Sequence, residues 1–275
     1  MVDRVTITIK KDILRRIDSM VDGNDIRNRS HAIENLLTKS LVKTGLDTAL
    51  IMAGGEGVNL RPITYEIPKP LIPIRGKPIL EHQLNLLKKH DVTNIILSVN
   101  YMNDKIRGYF GDGRRFGVDI TYIEEEKPMG TAGAINLAKD YITKPFLLLN
   151  VDTLMNPNIY EMYEFHKKHK KLATVMLTTV SDPSHFGVVK MRGNQILKFV
   201  EKPNIKKAPS RLINAGLCVF DQQVAGMVPK RKMMIEELFS RLSREEQLMG
   251  FLHDGMTFDV GSAKGYERAL KEWRE

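Results

Sequence analysis

Apolar and polar positions follow two regimes along this chain. Residues Val5-Thr6-Ile7-Thr8-Ile9-Lys10 alternate strictly, which predicts a strand with Val5, Ile7 and Ile9 on one face and Thr6, Thr8 and Lys10 on the other. Ile13, Leu14, Ile17, Met20 and Val21 then recur at helical spacing. After a polar turn, Ser30 is expected to cap a second helix bearing Ile33, Leu36, Leu37 and Leu41. Further on, short continuous apolar runs alternate with helical patterns. Ala49–Met52, Asn94–Val99, Val118–Ile123 and Phe146–Leu149 read as strands; Ile79–Lys89, Asp104–Phe110 and Ala132–Lys139 read as helices. Repeated βα units predict an α/β domain, a mostly parallel sheet flanked by helices on both faces, with ligands at the carboxyl ends of its strands.

The change of pattern divides the chain into residues 1–46 and 47–275, joined by the short Lys43-Thr44-Gly45-Leu46. One strand and two short helices are too few to bury a core alone, so the first part is expected to dimerise through its strand. The 42% hydrophobic and 27% charged content is that of a soluble globular protein. No stretch approaches the ~18 apolar residues needed to cross a bilayer, and the first residues lack the apolar block of a signal peptide. Cys218 is the single cysteine, which excludes an internal disulfide and a thiolate zinc cage. A cytoplasmic location without membrane association is the expectation. The seven histidines form no His-x-x-x-His or Cys-His cluster and read as surface or core residues. A formal charge of +9 favours polyanionic partners, nucleotide or nucleic acid.

Candidate chemistry begins directly after the run Ala49–Met52. Ala53-Gly54-Gly55-Glu56-Gly57-Val58-Asn59-Leu60-Arg61-Pro62-Ile63-Thr64 is followed by Pro68-Lys69-Pro70-Leu71. Glycines let backbone amides converge on phosphoryl oxygens while a lysine supplies mobile charge; an ordinary surface turn is the alternative. Two common fingerprints fail: Leu60 stands where a dinucleotide fold wants glycine or alanine, and no Gly-Lys-Ser/Thr follows. The run Phe146–Leu149 ends in Asn150-Val151-Asp152. A carboxylate leaving a buried strand end there suits magnesium, which takes one or two carboxylates plus substrate phosphates, or else serves as a turn or cap residue.

These segments resemble the sugar-1-phosphate nucleotidyltransferases, whose signature reads G-G-x-G-T-R-L-x-P-L-T and then P-K-P-L. Val58 and Asn59 replace that family's threonine and arginine, and Val151 its glycine before the aspartate. The resemblance runs from residue 48 to 272. It takes in Glu126-Lys127-Pro128-Met129-Gly130-Thr131, His185-Phe186-Gly187, Phe199-Val200-Glu201-Lys202-Pro203, Asn214-Ala215-Gly216 and Phe258-Asp259-Val260-Gly261-Ser262. It implies a nucleotide-diphospho-sugar transferase-like, Rossmann-like fold and Mg²⁺-dependent transfer of a nucleotidyl group from an NTP to a sugar-1-phosphate. In that family's terms Asp152 and Asp259 hold the metal and Lys69 stabilises the phosphates. Ala53, Gly54, Gly55, Gly57, Gly130 and Thr131 bind the nucleotide, and Gly187, Glu201, Lys202 and Asn214 bind the sugar phosphate. Asn59 opens the alternative of a domain that binds such ligands without turnover and regulates transcription.

Residues 3–42 resemble the ribbon-helix-helix DNA-binding family, including the Arg29-Ser30-His31-Ala32-Ile33 entry to the second helix. That resemblance implies a homodimer or higher even-numbered oligomer and double-stranded DNA as a partner. Thr6, Thr8 and Lys10 would face bases, with Ser30 on a phosphate. The alternative is a ribbon that only dimerises an enzyme.

Overall fold

The computed structural model describes residues 5–21, 23, 26–41, 45–125 and 129–274. Lys43-Thr44 of the join and Glu126-Lys127-Pro128 of the expected nucleotide loop lie outside the described residues. The chain forms two compact units, Met1–Lys43 and Thr44–Glu275.

In the first unit, α1 (Lys11–Asp18) and α2 (Arg29–Leu41) pack together around Ile17 and Ala32, both buried. The Arg29 guanidinium grips the Asp18 carboxylate with two bonds of 2.6 and 2.8 Å, which holds the carboxyl below its usual range. Two expectations are corrected. Residues 5–10 form no strand, because within one chain their backbone has no ladder partner, and alternation alone cannot supply one. Ser30 lies inside the first turn of α2; the cap is Asn28, whose Oδ1 accepts the His31 amide at 2.9 Å.

The second unit opens with β1 (Thr48–Met52). A short hairpin, β2 (Pro73–Ile74) and β3 (Lys77–Pro78), leads into α3 (Ile79–Lys89). The units β4 (Asn94–Val99), α4 (Asn103–Phe110), β5 (Asp119–Glu124), α5 (Gly130–Ala138) and β6 (Phe146–Asn150) follow as read from the sequence, within about two residues at each boundary. β7 (Thr153–Met155), α6 (Ile159–His169), β8 (Ala173–Thr179), β9 (Gly187–Arg192), β10 (Gln195–Glu201) and β11 (Leu212–Phe220) continue the chain. α7 (Gln223–Met227), α8 (Ile235–Arg244), β12 (Leu248–Leu252), β13 (Thr257–Asp259) and α9 (Ala263–Glu272) complete it.

Among the described residues the main sheet has nine strands in the order β5-β4-β1-β6-β11-β8-β12-β10-β9. The half from β5 to β6 is parallel throughout. The other half is mixed: β11 runs antiparallel to β6 and β8, and β10 antiparallel to β12 and β9. The expected mostly parallel sheet therefore describes the first half. In the second half, β9 and β10 are joined by a tight Gly193-Asn194 turn, which only antiparallel strands allow.

The continuous apolar runs are explained by burial on both faces. Ala49, Ile51, Ile95, Leu97, Leu147 and Leu149 enter the core packed by α3, while the alternate residues Leu50, Ile96, Phe146 and Leu148 enter the opposite one. There Phe146 stacks on Phe220, with centroids 5.5 Å apart. A third cluster, with Leu60, Ile72, Leu154, Phe258 and Trp273, lies beneath the glycine turn and the β7–β13 pair.

His166 of α6 is buried and bonds Thr174 of β8 through Nδ1 at 2.9 Å. Burial pushes its pKa from 6.5 down to about 4. The unfolded chain takes up a proton that the folded one resists, so stability is present above pH 6.5 and is lost as pH falls toward 4, by about 3 kcal/mol. Denaturant titration of His166→Gln, which keeps a polar partner for Thr174, is expected to show a flatter stability profile over this window than the parent.

Candidate active site

The site grows from two neighbouring strand ends. β1 and β6 are parallel and in register, Met52 opposite Asn150, so Ala53-Gly54 and Val151-Asp152 leave the sheet side by side where the strand order reverses. The Val151 amide bonds the Met52 carbonyl at 3.4 Å, and Ala53 donates to the Ser98 carbonyl of β4 at 2.8 Å. The glycine turn is thereby fixed across three strands. Gly57 takes a left-handed φ of 67°, and a β-carbon there would come within 2.7 Å of Thr64 and 2.8 Å of the Lys69 methylenes. Glycine is required both by the backbone and by the lysine stem beside it.

Lys69 opens a short 3₁₀ turn behind Pro68 and sends its Nζ to Asp152 Oδ2 at 2.6 Å, with both side chains mostly shielded. Asp259 arrives from the far end of the chain through the β7–β13 pair, where it faces Thr153. The Val260 amide bonds the Asp152 carbonyl at 2.8 Å, locking the two segments together. A β-carbon built on Gly261 would lie 2.9 Å from Asp152 Oδ2 and 3.1 Å from Asp259 Oδ1, so these oxygens are at most about 6 Å apart. The Asp259 residue remains open to solvent on its outer side. Its carboxyl is nonetheless crowded by protein, and that desolvation, followed by the Asp152 charge, raises its pKa; the Gly261 amide and Lys69 oppose the rise.

Sequence reading missed the residues that brace this arrangement. Gln83 of α3, 4% exposed, donates its Nε2 to the carbonyls of both Asn150 and Thr153 at 2.8 Å, clamping the turn that carries Asp152. The adjacent His82 accepts the Trp273 indole N–H at Nδ1, 3.2 Å, and meets the Ile74 carbonyl through Nε2 at 2.9 Å. Indole nitrogen can only donate, so His82 carries its proton on Nε2. Their apolar surroundings, Leu80, Leu84 and Leu87, read simply as a buried helix face. Glu125 is a second omission. Its carboxylate accepts Ser98 Oγ at 2.8 Å and the Met129 amide at 2.9 Å, tying β4 to the residue just before α5.

Gly130 and Thr131 sit where α5 starts against residues 233–235. Gly130 has φ 76°, and a β-carbon there would fall 2.5 Å from the Met233 carbonyl. The Ala132 and Gly133 amides already bond that carbonyl, and the Ile235 amide bonds Thr131 Oγ1 at 2.8 Å. The sugar-side candidates form a second group. Gly187 faces Glu201 across the β9–β10 ladder, and Ile213 pairs with Val188, which brings Asn214 alongside. Lys202, at a left-handed φ of 42°, reaches Glu201 at 3.6 Å. Burial and then the Glu236 charge raise the Glu201 pKa, against the pull of Lys202. Asn214 Oδ1 accepts the Gly216 amide at 2.9 Å, and Gly216 abuts Asn150 and Thr153, linking this group to the Asp152 turn. Thr6, Thr8, Lys10 and Ser30 are exposed in the first unit.

Residues 48–275 match the family described as nucleotidyl transferase. The chain belongs to that family. Mannose-1-phosphate guanyltransferase beta-A of Xenopus laevis is 39% identical over 225 residues, 79% of this chain and 62% of that protein. The mannose-1-phosphate guanyltransferase of Saccharomyces cerevisiae is 37% identical over 228 residues, with the same two shares. The chain thus spans 62% of the length of these curated relatives. A solved structure from Bacillus anthracis in complex with sucrose superposes with a TM-score of 0.75 at 26% identity, covering 83% of this chain and 98% of that one. The UDP-glucose pyrophosphorylase from Acinetobacter baumanii has a TM-score of 0.72 at 20% identity, covering 82% and 92%, a likeness of fold. No helix of the described residues is long and apolar enough to cross a membrane.

Among the described residues no three or more His, Cys, Asp or Glu side chains gather as a cation site. Two converging carboxylates fit a divalent ion that completes its shell with phosphate oxygens and water. The two carboxylates carry like charges that oppose each other. Asp259 carries a raised pKa, so its cost to folding is absent below the ordinary carboxylate range and present above the raised value. Thermal melts of metal-free Asp259→Asn should therefore exceed the parent at pH 7 and match it near pH 3. A melting temperature lower than the parent's at both pH values would contradict the raised pKa.

Proposed function

We propose that the chain transfers a guanylyl group from GTP to mannose-1-phosphate, giving GDP-mannose and pyrophosphate. The meeting of Lys69, Asp152 and Asp259 beside the glycine turn carries this reading. The choice of base and sugar is supported by relatives named for that reaction at 35–39% identity. An oxygen of the sugar phosphate attacks the α-phosphorus, and the bond to the β-phosphate oxygen breaks. The nucleophile is already an anion, so the protein has to align two polyanions and offset their repulsion. Ala53, Gly54, Gly55 and Gly57 present backbone to the triphosphate. Gly130 gives the base close approach to the chain, with Thr131 beside it. Lys202 positions the attacking phosphate, and Gly187, Glu201 and Asn214 meet the sugar. Asp152 and Asp259 would hold Mg²⁺, which when bound neutralises phosphate charge. Lys69, paired here with Asp152, would stabilise the phosphates.

Asn59 favours a second reading, a domain that binds nucleotide or nucleotide sugar without turnover. Loss of the arginine at that position removes a charge-assisted contact, on the order of 10²–10³ in rate by analogy. Pyrophosphate release is the deciding measurement: we expect it from GTP and mannose-1-phosphate with Mg²⁺, abolished by Asp259→Ala. Binding without release across all NTPs and common hexose-1-phosphates would establish the second reading.

We read the first unit as a ribbon-helix-helix module that makes the chain a homodimer or larger even-numbered oligomer. Exposed Val5 and Ile7, at 80% and 54%, and a segment lacking a ladder partner within one chain support it. Thr6, Thr8, Lys10 and Ser30 would contact double-stranded DNA. The nucleotide substrates fit a cytoplasmic location. Salt-sensitive retention on a palindromic duplex, weakened by Lys10→Ala, is expected. Equal retention of both proteins on specific and random duplexes would leave a dimer clasp only.

A further inference from the structure

The phosphate loop lacks a cation at position 59 and carries one two residues later. The Arg61 guanidinium bonds Glu56 Oε2 at 2.9 Å and lies over the Tyr65 ring, 5.0 Å from its centroid. Glu56 sits between Gly55 and Gly57, the two glycines at which an added β-carbon would meet Lys69, 3.7 Å from its Nζ at Gly55 and 2.8 Å from its methylenes at Gly57. The guanidinium is therefore tied to the residue that sits inside the glycine turn. Asn59, in the 3₁₀ turn Val58–Leu60, is exposed and uncharged.

Resting on the nucleotide-binding reading above, we propose that Arg61 is the cation that receives the outer phosphates of the triphosphate, and that Glu56 occupies its place until the nucleotide arrives. Three physical points carry this. The Arg61 and Glu56 side chains are 40% and 61% exposed, so their pair is weak and readily exchanged. A triphosphate offers a guanidinium a better bidentate partner than one solvated carboxylate. A carboxylate fixed at an anion-binding glycine turn otherwise opposes the ligand, and pairing with Arg61 offsets that charge. Tyr65 supports the flat face of the guanidinium, limiting the directions in which it swings.

Calorimetric binding of GTP, GDP and GMP to the full chain tests this without any need for turnover. Arg61→Ala is expected to weaken GTP about 10- to 100-fold and to leave GMP within about twofold, since a charge-assisted contact to the outer phosphates is lost. Arg61→Lys should recover part of the loss. Glu56→Gln should bind GTP at least as tightly as the parent. Unchanged GTP affinity in Arg61→Ala, equal weakening of GTP and GMP, or weakened GTP in Glu56→Gln would overturn the proposal, the last by making the pair a brace for the loop. A parent chain that binds none of the three nucleotides would overturn the nucleotide-binding reading itself, and the proposal with it.

Discussion

The second unit depends at its centre on keeping two carboxylates together that repel each other. Asp152 and Asp259 come from segments more than a hundred residues apart, and burial, followed by the Asp152 charge, raises the pKa of Asp259. The Lys69 ammonium at 2.6 Å from Asp152 offsets part of the repulsion. The remainder is borne by backbone: the β7–β13 pair, the Val260 amide on the Asp152 carbonyl, and the third apolar cluster under both strands. An arrangement that costs stability and is held this firmly points to chemistry.

α3 serves both halves of that pair from consecutive residues. Gln83 holds the carbonyls on either side of the Asp152 turn, while His82 holds Trp273 at the end of α9, which follows the Asp259 strand. A helix packed on a parallel sheet is a rigid platform, and a clamp from a buried amide fixes a turn more firmly than loop contacts can. Gln83 Oε1 is itself buried without a partner among the described residues, so its fit favours holding the turn over satisfying its own hydrogen bonds.

The glycine turn departs from the family signature at two adjacent positions. With valine and asparagine at 58 and 59, the guanidinium at 61 is the remaining loop cation, and it is partnered by the one acidic residue inside the glycine turn. The first unit presents a parallel situation at larger scale. Its apolar residues at 5, 7, 13, 36 and 37 remain exposed, and its alternating segment has no ladder within one chain.

Local pattern by itself located β1, α3, β4, α4, β5, α5 and β6 in order, because burial on both faces of a parallel sheet writes continuous apolar runs, whereas the two-residue strands β2 and β3 are too short to leave one. It also located the glycine turn, since Gly57 and Gly130 answer to backbone geometry that few other residues adopt. Capping was misread at Ser30, where two polar residues within one turn compete and only backbone geometry chooses Asn28. The strand at 5–10 was misread because alternation reports a preference for a ladder, whereas the ladder requires a partner. That Asp152 and Asp259 belong together came from the family resemblance; tertiary structure alone decided how the β7–β13 pair brings them within about 6 Å, that Gln83 and His82 brace the segments carrying them, and that Arg61 lies on Glu56. These are distances between residues remote in sequence or directions of long side chains, and neither leaves a periodic trace in the chain.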